Sequence, residues 1–108
     1  MKEITVPTDE QLSPATLLIF EQIRKRLGKV PYLYAVVGYS EFALKAFAEF
    51  EENLQKGAFT AKESEAIALV VSEINGCKYC LSAHIMATEK RGFTTDETLC
   101  IRKAEVND

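Results

Sequence analysis

The sequence predicts an all-α protein of five or six helices. Three observations carry that prediction. Apolar residues recur at the three- and four-residue spacing of helices, and the period-2 alternation of half-buried strands survives nowhere. Helix-start signals recur at Ser13-Pro14, Thr60-Ala61-Lys62-Glu63 and Thr94-Thr95-Asp96-Glu97. Glycine stops follow at Gly28, Gly57, Gly76 and Gly92.

Taken in order, Ser13 caps a first helix with Pro14 at its opening position, where a missing backbone N–H costs nothing. Leu17, Leu18, Phe20, Ile23 and Leu27 follow before Gly28 ends the run. The basic triplet Arg24, Lys25 and Arg26 falls late in that pattern and reads as a solvated helix C-terminus rather than a binding patch. Tyr32 to Val37 is a short apolar piece after Pro31, either a short helix or an extended connector. Ser40 caps the next helix, with Ala43, Ala46, Phe47, Phe50 and Leu54 on one face; Phe42, Phe47 and Phe50 read as core.

Thr60 and Glu63 form a capping box for the following helix. Its second half, Ala66 to Ile74, is apolar nearly all round, which predicts a central position or a subunit interface. Asn75-Gly76 breaks it between two helical patterns, so it is not read as a hairpin turn. A further helix is expected from about Cys77 to Arg91, closed by Gly92, and a last one from near Asp96, running out in "RKAEVND" with Cys100 buried along it.

Length and composition narrow the function classes. The 108 residues predict a single domain, and 47% hydrophobic content is enough for a packed core. A chain this short still buries a modest fraction of its surface, so partner subunits would help it. A net charge of −3 argues against nucleic acid or an anionic membrane as the main partner. The first ten residues lack the apolar core of a signal peptide, and no apolar run is long enough for a membrane span. Three cysteines make no disulfide scaffold, which points to a reducing, cytoplasmic setting where a close cysteine pair is catalytic or metal-binding.

That pair lies in Glu73-Ile74-Asn75-Gly76-Cys77-Lys78-Tyr79-Cys80-Leu81-Ser82-Ala83-His84, which also holds the only histidine of the chain. On a helix of about 100° per residue, Cys77, Cys80 and His84 fall within roughly 60° of arc, with His84 one turn beyond Cys80. The first turn of a helix favours thiolate through its free N–H groups and positive dipole end, and a nearby histidine lowers a thiol pKa further. Two intervening residues let the sulfurs meet in a disulfide. A relay needs a carboxylate behind the imidazole, and Glu65 and Glu73 are the candidates. On one continuous helix Glu65 would lie about 18 Å from Cys77. A chain reversal at Asn75-Gly76 would instead fold it back beside the cysteines. Other chemistries remain open on the residues alone: a pair of small buried hydrophobes, a redox sensor, or a metal site short of its fourth ligand unless Cys100 supplies it.

The pattern Glu65-x11-Cys77-x2-Cys80-x3-His84 resembles the signature of the alkylhydroperoxidase D and carboxymuconolactone decarboxylase superfamily, in its CxxC-containing, peroxidase-like branch. Asn75-Gly76, Tyr79, Ala83 and the "GFTTDE" continuation share in the likeness, which covers roughly Leu44 to Arg102. The resemblance implies an alkylhydroperoxidase D-like helical domain over residues 1–108, completed as a homo-oligomer, commonly a trimer or hexamer. It implies thiol-dependent reduction of small hydroperoxides without metal, flavin, haem or other cofactor. Cys80 would be the peroxidatic cysteine and Cys77 the resolving one. Glu65 would relay protons through water and His84. A dithiol donor, in the best-known members a lipoyl-bearing protein, would reduce the disulfide. Relatives often carry a second histidine just before the second cysteine; this chain has Tyr79 there, a hydrogen-bond donor but a poor base near neutral pH, placed as a pocket or relay residue beside Glu73. The decarboxylase branch generally lacks the CxxC pair, so lactone decarboxylation is not expected. The alternatives kept beside peroxide reduction are a non-enzymatic redox-sensing or metal-binding module and a dithiol-disulfide oxidoreductase whose natural substrate is not a peroxide.

Overall fold

The computed structural model describes residues 3–105, and every regular element among them except one 3₁₀ turn is an α-helix. The six helices are α1 (Pro14–Leu27), α2 (Tyr32–Val37), α3 (Glu41–Leu54), α4 (Ala61–Ile74), α5 (Lys78–Lys90) and α6 (Thr95–Arg102). The fold class read from the sequence is therefore observed, and Tyr32 to Val37 is a helix rather than a connector. The chain falls into two compact units, Met1–Asn53 and Leu54–Asp108.

The first unit opens on a 3₁₀ turn at Asp9–Gln11, where the Thr8 N–H donates to Gln11 Oε1 at 2.9 Å. The sequence reading passed over this turn, although Thr8-x-x-Gln11 is itself a capping pattern. Ser13 caps α1 as expected, accepting from the Thr16 N–H at 3.2 Å, and its hydroxyl donates to Glu41 at the start of α3 at 2.8 Å. Phe20, Ile23, Ala35 and Leu44 form the core of this unit. Gly38 is required there by close approach: a Cβ would stand 2.4 Å from the Phe20 ring. The buried Thr16 hydroxyl donates to the Gly38 carbonyl at 3.3 Å.

One sequence expectation fails on α3. Leu44, not the expected apolar face, is the fully buried residue of this helix. Phe42 is 78% exposed and Phe50 59% exposed, whereas Phe47 is half-buried and meets Tyr34 edge to face at 5.4 Å between centroids. Periodicity located an apolar stripe; it did not locate which part of the stripe the chain itself covers.

The second unit is built from α4, α5 and α6, with α4 packed against both of the others and α5 against α6. The capping boxes at Thr60 and Thr94 both form. In each, the threonine hydroxyl accepts from the N–H of Glu63 or Glu97 at 3.2 and 3.1 Å, while the carboxylate accepts from the threonine N–H at 2.7 Å. Those bonds, from the backbone first and the hydroxyl second, hold both carboxyls below the ordinary carboxylate range. Leu69 and Ser72 of α4 are buried, but Ile67, Val71 and Ile74 are exposed. Within this unit α5 and α6 cover one side of α4, and the apolar residues of the other side are exposed. Cys100 is exposed on α6 rather than buried. The last helix ends at Arg102 with Ala104 in the left-handed conformation at φ 55°, and residues 106–108 of the expected tail lie outside the described residues.

Candidate redox site

The site is built on the reversal between α4 and α5. Helix α4 runs out of intrahelical partners at Asn75, and Gly76 takes up φ 62°, the left-handed region that glycine enters at no steric cost. Two bonds close the turn: the Gly76 N–H donates to the Glu73 carbonyl at 3.0 Å and the Cys77 N–H to the Ser72 carbonyl at 3.1 Å. This double closure is the Schellman arrangement. Cys77 then begins the next helix. It is the N-cap of α5, extended at φ −83° and ψ 97°, and its Sγ accepts from the Cys80 N–H at 3.2 Å. The sequence placed Cys77 inside the helix. It stands one residue outside, where its sulfur occupies the position that a serine or aspartate oxygen usually fills.

Cys77 and Cys80 are joined as a disulfide, with their Cα atoms 5.3 Å apart. That separation lies within the range a disulfide spans without backbone movement. Both residues are half-buried.

The reversal brings together residues far apart along the chain. Glu65 Oε2 lies 2.9 Å from His84 Nδ1, nineteen positions later. The two side chains are 18% and 34% exposed, which makes this the more sheltered of the ion pairs at the site. An ionised carboxylate only accepts hydrogen bonds, so with Glu65 ionised the proton of this bond is on Nδ1. The contact between the two groups is direct. Glu73, the second candidate for this role, is engaged elsewhere: its Oε2 accepts from Arg102 Nε at 2.6 Å. Tyr79 lies in the first turn of α5 and is 46% exposed.

The structure thus gathers Glu65, Cys77, Cys80 and His84 on the α4–α5 hairpin and sets Glu73 against α6. Arg102 escaped the sequence reading because nothing local marks a cation that pairs with a carboxylate twenty-nine positions earlier. At the other end of α4, Lys62 lies over the Phe93 ring at 4.5 Å, another contact without a local signal. Among the described residues no group of three or more histidine, cysteine or acidic side chains is arranged to hold a metal ion, and no helix is long and apolar enough to cross a membrane.

Comparison with curated proteins and with solved structures returned no match for the chain. A model of the carboxymuconolactone decarboxylase family does match, over residues 43–106. The matched span holds α4, α5 and α6 entire, with the Glu65–His84 pair and the disulfide inside it. The paired cysteines fit a redox role for the CxxC motif within that family. With more than half of its 108 residues matched and an all-α fold as the sequence signature implied, the chain belongs to the carboxymuconolactone decarboxylase family, within the superfamily that also takes in alkylhydroperoxidase D.

Proposed function

We propose that this protein is a thiol-dependent hydroperoxide reductase in which Cys77 and Cys80 cycle between dithiol and disulfide. The observation that carries the reading is the Glu65–His84 hydrogen bond on the same hairpin as the Cys77–Cys80 disulfide. A carboxylate that fixes an imidazole tautomer, one turn from a thiol, is the arrangement that activates a cysteine nucleophile.

In the reduced enzyme, His84 Nε2 takes the proton of the Cys80 thiol. The thiolate attacks the terminal hydroperoxide oxygen; an S–O bond forms, the O–O bond breaks, and the leaving alkoxide takes the proton from His84 and departs as an alcohol. Cys80 is then a sulfenic acid. Cys77 loses its thiol proton and attacks Cys80 Sγ, hydroxide leaves as water, and the disulfide closes. A dithiol donor, such as a protein-borne lipoyl group, returns two electrons and two protons by thiol–disulfide exchange. Glu65 holds the imidazolium while it carries charge. The exposed apolar residues of α3 and α4 support assembly as a homo-oligomer.

The reading is tested by reducing the protein, adding one equivalent of cumene hydroperoxide and weighing the product. Loss of about 2 Da, reversed by dithiothreitol and confined to the peptide holding Cys77 and Cys80, is expected. A disulfide formed through Cys100 would contradict it.

One observation favours a second reading. Tyr79, an exposed phenol, occupies the position where peroxidase relatives carry a further base. On that reading the pair exchanges disulfides with thiol substrates, and reduced protein reacts faster with a disulfide such as oxidised lipoamide than with any hydroperoxide.

A further inference from the structure

The Glu73–Arg102 ion pair calls for an explanation that the relay does not supply. Glu73 lies in the last turn of α4, where the negative end of the helix dipole disfavours a carboxylate. That turn holds no basic residue of its own. The cation comes from α6, where Arg102 occupies the last turn and is the only basic residue there. Its guanidinium donates to Glu73 Oε2 at 2.6 Å, and both side chains are partly shielded, at 30% and 37% exposure.

The location matters more than the strength of the bond. The backbone carbonyl of Glu73 accepts from Gly76, and that of Ser72 accepts from Cys77. The anchored residue is therefore part of the turn that sets where Cys77 begins α5. Cys80 is held by α5 itself, through its first turn. The approach of one sulfur to the other depends on how firmly the elbow between the helices is held, and its fixed points are Gly76 and the Glu73–Arg102 link.

We infer that Arg102 and Glu73 are positioning residues of the redox pair: the ion pair fastens α6 to the last turn of α4 and holds Cys77 in register with Cys80. The inference rests on the reading of Cys77 and Cys80 as a reversible couple, but not on peroxide being the substrate. Loosening the elbow lowers the effective concentration of one thiol beside the other, so the disulfide becomes easier to reduce.

The test is the equilibrium of the full chain with reduced and oxidised dithiothreitol, in which two electrons and two protons pass from the reagent to the Cys77–Cys80 disulfide. Arg102→Met is expected to shift that equilibrium about tenfold toward the dithiol, a rise in potential of about 30 mV. Glu73→Gln, which preserves side-chain volume and hence folding, is expected to shift it in the same direction. The double variant should go no further than either single one, and Arg102→Lys should recover part of the loss. A link that merely stabilised the fold would lower the melting temperature and leave the equilibrium of the folded protein unmoved. Folded Glu73→Gln and Arg102→Met proteins that stay within twofold of the wild-type constant would overturn the inference. A wild-type disulfide that dithiothreitol cannot open would instead remove the redox reading beneath it.

Discussion

Glu65 and His84 are nineteen residues apart in sequence and 2.9 Å apart in space, carboxylate oxygen to imidazole Nδ1. The pairing exists because the chain reverses at Asn75-Gly76-Cys77, and it sets Glu65 against the imidazole while Glu73 pairs with Arg102. With Glu65 ionised, the bond holds a proton on Nδ1. Glu65→Gln keeps the size of the side chain and removes the charge. It is expected to lower hydroperoxide turnover by about 10²-fold, the scale of one acid–base contribution, in steady-state assays at saturating dithiol. Glu73→Gln, whose partner is Arg102, should cost far less turnover in the same assay.

Gly76 separates conformational strain from crowding. It has φ 62° and nothing within 4 Å of where a Cβ would be, so Gly76→Ala is penalised by backbone conformation alone. The expected loss is roughly 1–2 kcal/mol in urea unfolding. Gly28, at φ 82° with equally open space, caps α1 in the other compact unit and makes a matched control. Both alanine variants should lose similar stability, while only Gly76→Ala should slow re-formation of the Cys77–Cys80 disulfide from the reduced protein.

The opposite change is available at the end of α6. Ala104 adopts φ 55°, a region that costs a side chain what it does not cost glycine. It sits in the same two-bond closure, its N–H donating to Ile101 at 2.9 Å and that of Glu105 to Cys100 at 2.9 Å. Ala104→Gly is expected to raise stability by about 1 kcal/mol, read as a higher urea midpoint at unchanged slope.

Acid should act on the helix starts. Glu63 and Glu97 are held below the ordinary carboxylate value by hydrogen bonds from Thr60 and Thr94. A carboxyl lowered in the folded state binds fewer protons there than in the unfolded chain, so stability falls as pH falls. The contribution of these groups is fully present above the ordinary carboxylate value and is lost as pH drops through it toward the lowered one. Glu63→Gln with Glu97→Gln should lower stability in the neutral region, change it little at acid pH, and so flatten the acid limb of a stability–pH curve.

The start and stop chemistry of the helices was legible in the sequence because it is local. Ser13, Ser40, Thr60 and Thr94 each accept the backbone N–H three residues on. The placing of Cys80 and His84 one turn apart on α5 was legible for the same reason, being a matter of spacing on one helix. Two kinds of information were not. Exposure of Phe42, Phe50 and Cys100 depends on what packs over a helix face, and the periodicity of one helix does not contain its neighbours. The Glu73–Arg102 pair depends on two helix ends converging, which spacing along the chain does not encode. Glu65 lies between these cases. Its part was legible only once a reversal at Asn75-Gly76 was assumed, and that reversal is what the left-handed Gly76 makes.

The central claim is that Cys80, activated by His84 and Glu65, reduces hydroperoxides with electrons from a dithiol. The most direct measurement follows consumption of cumene hydroperoxide by the purified protein with dihydrolipoamide as donor, in wild type and in Cys80→Ser. The account predicts catalytic, donor-dependent consumption by the wild type and none above the uncatalysed rate for Cys80→Ser. Wild-type turnover retained by Cys80→Ser would contradict it.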